Sequence, residues 1–177
     1  MSNKNFNKKA MAIGQVFIFI VAAITFALIM IFGYKAITGF LKSGEDVAFV
    51  QFKTSLETSI RKIYTEYGSV RVSKFTLPSI YEQVCFVNLD AAYDPELCKF
   101  DQAACSVWED AKGYDSVDEN VFMKPTAPVK IKVHQIGIDP DEGTDFLCVP
   151  VRQGFFNLVL EGKGDRTELS SVPSPLN

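Results

Sequence analysis

The apolar and polar positions fall into three regimes along the chain. From Ala10 to Tyr34 no residue is charged, and MAIGQVFIFIVAAITFALIMIFG is apolar on every side. As a helix, this 25-residue run would span about 37 Å at a rise of ~1.5 Å per residue. That exceeds the roughly 30 Å hydrocarbon core of a bilayer, so the run predicts a transmembrane helix over 10–34. The second regime, Glu45 to Tyr67, places Phe49, Phe52, Leu56, Ile60, Ile63 and Tyr67 three and four residues apart. This is one apolar face of an amphipathic helix, with Lys53, Glu57, Arg61, Lys62 and Glu66 on the other. Glu57 and Arg61 stand in the favourable order for an ion pair, and Gly68 is the expected stop. Gly39 and Ser43-Gly44 weaken the connection without forbidding one continuous helix. The stripe can pack on the chain's own β domain or on other copies; the first is the usual role of a surface helix.

The third regime is β-like. Val70, Val72 and Phe75 alternate with polar residues, QVCFVNL (83–89) reads as a buried strand, and VKIKVHQI (129–136) alternates strictly. DFLCVPV (145–151), FFNLVLEG (155–162) and 166–170 are further strands. Between them, Asp94-Pro95 reads as a cap and first turn, and ELCKFDQAACSVWEDAK fits a helix or a folded loop. The predicted class is α+β: an N-terminal transmembrane helix with an amphipathic helical extension, then a small antiparallel β-sheet or sandwich. The expected organisation is a basic leader (1–9), the span (10–34), a helical stalk (35–68), a β domain (69–169) and a Ser/Pro-rich tail (170–177).

Charge gives this layout a direction. Residues 1–43 hold five lysines and no acid, a charge of +5, whereas the remaining 134 hold 13 basic and 21 acidic groups, a charge of -8. Lys4, Lys8 and Lys9 precede the span, which puts the N-terminus in the cytoplasm and the bulk of the chain outside. A net charge of -3 argues against nucleic-acid binding. Within the span, Thr25 can bond to its own backbone, and Ala23 and Ala27 make a small-xxx-small pair.

Cys85, Cys98, Cys105 and Cys148 all lie in the part placed outside, where an even count favours two disulfides. Three pairings are open. The matching contexts VCFV and LCVP favour Cys85–Cys148, leaving Cys98–Cys105. In an unbroken helix those last two would be about 10.5 Å apart along the axis, so their pairing requires a break.

Catalytic chemistry is sparse. His134 is the one histidine, placed by the alternation beside Lys130 and Lys132 on a solvent-facing side. No phosphate loop, dinucleotide fingerprint or zinc-protease motif occurs, and nothing calls for a cofactor. Asp139, Asp141 and Asp145 alternate around Gly143 like part of a calcium loop, but the twelfth position is Pro150 where a glutamate is needed. An acidic hairpin turn is the simpler reading. The expectation is a protein that is not an enzyme.

The layout of basic leader, apolar helix, amphipathic extension and β domain resembles type IV pilin-like proteins, and archaeal single-pass surface proteins of that class. Gly14-Gln15, followed at once by VFIFIVAAITFAL, is similar to the family's prepilin peptidase site. The resemblance implies cleavage after Gly14, a retained helix, and self-assembly or a protein partner through that helix, in addition to the lipid bilayer. Ala12 and Ile13 stand where a basic residue is usual, and Phe19 where many pilins carry glutamate. YGSV, LPSIYEQVCFV and LEGKGDR are similar to outer-domain segments of such surface proteins and imply no activity. The alternative is an uncleaved bitopic envelope protein whose β domain binds a surface or secretion partner. A membrane-anchored enzyme is the third reading.

Overall fold

The computed structural model describes residues 8–172, and side chains over 16–39 and 44–172. The expected leader and tail therefore lie largely outside the described residues. One helix, α1, runs from Lys8 to Tyr64. Gly39 and Gly44 do not interrupt it, which agrees with their modest helix penalty. The chain divides into two compact units at Glu45/Asp46, and α1 contributes to both.

In the first unit, the described apolar side chains of α1 are exposed on all sides, among them Phe17, Phe19, Phe26 and Phe32. Thr25 donates its hydroxyl to the carbonyls of Val21 (2.9 Å) and Ala22 (3.0 Å). Thr38 does the same to Tyr34 and Lys35. Both hydroxyls are thus satisfied inside the helix.

In the second unit, α1 is amphipathic. Phe49, Phe52, Leu56, Ile60 and Ile63 are buried in the core of the β domain. The stripe therefore covers its own chain. Tyr67 does not continue it: α1 ends at Tyr64, and Tyr67 is 82% exposed. Gly68, with φ +74°, sits in the turn beyond and donates its N–H to the Gly162 carbonyl. Glu57 pairs with Lys53 at 3.8 Å, where the expected partner was Arg61.

Seven strands follow: β1 (Val70–Thr76), β2 (Gln83–Val87), β3 (Val121–Lys124), β4 (Ile136–Ile138), β5 (Phe146–Pro150), β6 (Phe155–Gly162) and β7 (Thr167–Ser171). They form two sheets, β1-β6-β7-β4 and β3-β2-β5. The first sheet is mixed, because β4 runs parallel to β7. A short 3₁₀ turn (Pro95–Lys99) and α2 (Gln102–Asp110) lie between β2 and β3.

Alternation along the strands builds two cores. Phe75, Phe156, Leu158, Leu160 and Leu169 of the first sheet join Val84, Phe86, Val121, Met123 and Leu147 of the second around the α1 stripe. Phe52 meets Phe75 edge-on at 6.4 Å and 87°. The opposite side of the second sheet supplies Cys85, Val87, Phe122 and Phe146 to a smaller core with Leu97, Ala104, Cys105 and Trp108. Residues of opposite parity on β2 thus serve different cores, as the period of two requires.

One expectation is corrected. Residues 129–135 do not form a strand, and only Ile136 enters one, as the first residue of β4. Ile131 and Val133 are buried as their alternation implies, but the buried Asn120 side chain takes the backbone of Val133, accepting from its N–H (2.8 Å) and donating to its carbonyl (3.3 Å). Apart from one bridge between Ile131 and Val121, no ladder forms there. The stretch 94–111, read as a helix or a folded loop, is broken in two, as the pairing of Cys98 with Cys105 requires. Asp94 caps the 3₁₀ turn, and Asp101 caps α2 by accepting from the N–H groups of Ala103 (2.9 Å) and Ala104 (3.0 Å). A second cap starts a second helix, because the capping residue has an extended backbone.

Candidate functional site

The four cysteines are paired. Cys85 and Cys148 stand directly opposite on β2 and β5, with Cα atoms 4.0 Å apart. Cys98 and Cys105 bridge the 3₁₀ turn to α2 at a Cα separation of 4.9 Å. The break at Asp101 makes this second bridge possible, because it folds the two segments against each other. The Tyr93 hydroxyl lies 3.4 Å from Cys98 Sγ and 3.1 Å from Cys105 Sγ. Burial raises the Tyr93 phenol above its usual range, and the carboxylates of Glu109 and Asp94 add to the effect. The Tyr93 ring packs edge-on to Trp108 at 5.7 Å.

Asp139, Asp141 and Asp145 are not gathered around a point. Asp139 accepts from the backbone N–H of Asp141 at 3.0 Å, as the cap of a 3₁₀ turn (Pro140–Glu142). Glu142 accepts from Ser171 N–H at 2.6 Å, and Gly143 takes φ +75°. No cluster of three or more potential metal ligands occurs among the described residues. The calcium candidate is therefore corrected to a capped acidic turn. It is not a hairpin either, since it carries the chain from β4 in one sheet to β5 in the other.

His134 is also placed differently from the expectation. Its ring packs against Tyr64 at a centroid distance of 4.1 Å and a tilt of 46°, and its Nδ1 accepts from the Gln135 N–H. Lys132 is turned inward, donating to the carbonyls of Tyr114 (2.6 Å) and Val117 (2.8 Å) with its ammonium 3.9 Å from the Tyr114 ring centroid. Burial raises the Tyr114 phenol, with Asp115 and Asp90 contributing. This lysine closes the 112–120 loop, which nothing in the alternation of 129–136 signalled.

A polar cleft of ≈ 480 Å³ is lined by Asp90, Gln135, Asp145, Asp165, Arg166 and Glu168 among others. Asp90, Asp165, Arg166 and Glu168 are already engaged. Asp90 accepts from Tyr114 N–H (3.0 Å) and Gln135 Nε2 (3.4 Å). Arg166 lies 3.5 Å from Asp165, and Glu168 binds Lys163 at 2.6 Å. Lys163 also bridges to Glu161 at 2.7 Å, and these two hydrogen bonds raise its pKa strongly. His134 does not line the cleft, so no histidine–carboxylate unit forms there. Gly14 and Gln15 belong to the backbone of α1, and their side chains lie outside the described ones.

No protein-family model, no curated protein and no solved structure matches this chain. The functional reading rests on its own residues. They supply an apolar helix long enough to cross a membrane, near the N-terminus, and a β domain held by two disulfides. Disulfides of this kind belong to oxidising, extracytoplasmic compartments.

Proposed function

We propose that the chain is a membrane-anchored, pilin-like surface subunit with a structural and assembly role. The span inserts in the bilayer, the Lys-rich N-terminus stays in the cytoplasm, and the disulfide-stapled β domain faces outward. The single observation that carries this reading is the change of character within α1. Among the described residues its first part is apolar all round and exposed, whereas from Phe49 onward the stripe of Phe49, Phe52, Leu56, Ile60 and Ile63 is buried. An all-round apolar helix needs lipid or other helices as solvent; a one-sided one needs only its own domain. In this reading the helix contacts lipid and copies of itself or a protein partner. No nucleic acid, cofactor or catalytic step is involved.

The second reading is an uncleaved bitopic envelope protein whose outer domain binds a surface or secretion partner. Ala12-Ile13 before Gly14, and Phe19 after it, favour this alternative. Intact mass and N-terminal sequencing of the protein from native membranes separate the two. A mature start at Gln15 supports the pilin-like subunit. A start at Met1 or Ser2 supports the bitopic protein. Release of the chain from membranes by alkaline carbonate would refute both.

A further inference from the structure

The two disulfides sit in unlike surroundings. Cys98 belongs to the surface 3₁₀ turn and is half-buried, whereas Cys105 is buried, at 2% exposure. The Tyr93 hydroxyl lies 3.4 Å from Cys98 Sγ and 3.1 Å from Cys105 Sγ. A disulfide sulfur carries no proton, so Tyr93 is the donor to both. Tyr93 is itself 36% exposed, and its ring is held edge-on by Trp108. Cys85, by contrast, stands in the middle of β2 at 1% exposure, in a core with Val87, Phe122 and Phe146.

These placements give the bridges unequal chemistry. A disulfide opens when a thiolate attacks one sulfur and the other leaves as a thiolate. Attack is favoured at the sulfur nearer solvent, and departure where a donor meets the new negative charge. At this bridge the first sulfur is that of Cys98. The second is that of Cys105, the closer one to the Tyr93 hydroxyl. A hydrogen bond to an ionised acceptor is roughly twice as strong as one to a neutral acceptor, so the Tyr93 contact tightens as the bond breaks. Desolvation, together with the carboxylates of Glu109 and Asp94, keeps the phenol protonated and therefore a donor throughout. At Cys85–Cys148, departure of Cys85 would leave a thiolate in an apolar core, which burial disfavours.

We propose that Cys98–Cys105 is a thiol–disulfide exchange site, opened by a thiol on a neutral or cationic carrier that attacks Cys98 while Tyr93 holds the departing Cys105 thiolate. The incoming sulfur bonds to Cys98 Sγ. The Cys98–Cys105 bond breaks, and its electron pair stays on Cys105 Sγ, which takes a proton from water. A second thiol on the same carrier then displaces Cys98, and the carrier leaves with its own disulfide. The thiol is the reductant and the bridge is what it reduces. The carrier's charge follows from Asp94, Glu96 and Asp101, all within four residues of Cys98, against Lys99 alone. Lys99 is already paired with Glu96 at 2.8 Å. The chain is a reactant here and not a catalyst. The inference goes beyond the anchoring role and depends on neither cleavage at Gly14 nor membrane insertion.

The test uses the full chain in detergent micelles. Cysteamine or glutathione is added at equal thiolate concentration, the reaction is stopped with N-ethylmaleimide, and each cysteine is assigned by peptide mass spectrometry. Cys98 should carry the added thiol and Cys105 the maleimide, while Cys85 and Cys148 stay paired. Y93F should slow this opening roughly tenfold, the worth of one hydrogen bond to a charged group. A merely structural Tyr93 would give the opposite sign, because loosened packing admits the thiol faster. Cysteamine should outpace glutathione, and added salt should shrink the difference. No opening of Cys98–Cys105, added thiol on Cys105, earlier opening of Cys85–Cys148, a Y93F rate at or above wild type, or a glutathione rate at or above that of cysteamine would each overturn the proposal.

Discussion

The hydroxyl of Thr167 in β7 donates to the backbone carbonyl of Ile60 in α1 at 2.9 Å, and both residues are fully buried. It is a polar tie inside an otherwise apolar contact between helix and sheet. T167V keeps the shape and removes the donor. A buried hydrogen bond of this type contributes about 1 kcal/mol. T167V should lower the unfolding free energy by about that amount with an unchanged denaturant slope. Urea unfolding followed by fluorescence of Trp108, the chain's one tryptophan, measures it. No change in midpoint would mean that the carbonyl is equally well served without Thr167.

Gly162 sits under the end of the same helix. A Cβ built there would collide with the backbone carbonyls of Ile63 and Glu66. Backbone cannot rotate away as a side chain can, so G162A should cost about 3 kcal/mol, the upper end of ordinary overpacking. At Gly137 the nearest atoms belong to the Arg166 side chain, at 3.0 and 3.1 Å. G137A should therefore cost clearly less. Thermal midpoints of the two variants compare them directly, and equal losses would contradict this account.

The two disulfides close loops of different length, with sequence separations of 63 and 7. On the chain-entropy argument, loss of the longer one costs about 4 kcal/mol and loss of the shorter about 2.5 kcal/mol. C85A/C148A should unfold at lower denaturant than C98A/C105A. The reverse order would show that the short bridge acts by holding the folded 3₁₀ turn on α2 and not by restricting the unfolded chain.

Tyr93 and Tyr114 are both held above the usual phenol range, chiefly by burial. Their folded-state values exceed their unfolded ones, so the associated stability is complete below the unfolded value, about 10, and is lost as pH rises through the folded values. Phenolate absorbance should show a late-titrating component in the folded protein. Y93F and Y114F should each reduce it and lessen the fall of the unfolding midpoint at alkaline pH. A single ordinary transition for all tyrosines would contradict the raised titration of these two.

What the sequence determined by itself is local periodicity. The apolar run before Tyr34 and the stripe from Phe49 to Ile63 are legible because a helix repeats every ~3.6 residues whatever surrounds it. β2 and β5 are legible as short apolar runs, β6 as a strand after Gly154, and β1 by its near alternation of apolar and polar residues. At the candidate site, the four cysteines, their favoured pairing and the acidic turn could be located, but the hydrogen-bond partners of Asn120, Lys132 and His134 could not. Tertiary structure decided those. Asn120 takes the backbone that 129–136 would have offered to a strand, Asp101 starts a second helix that folds Cys105 back toward Cys98, and β4 finds β7 in parallel. Burial on one side is written in the order of residues along the chain. Hydrogen-bond partners, register and pairing depend on groups brought together from distant positions, and only folding fixes which of them meet.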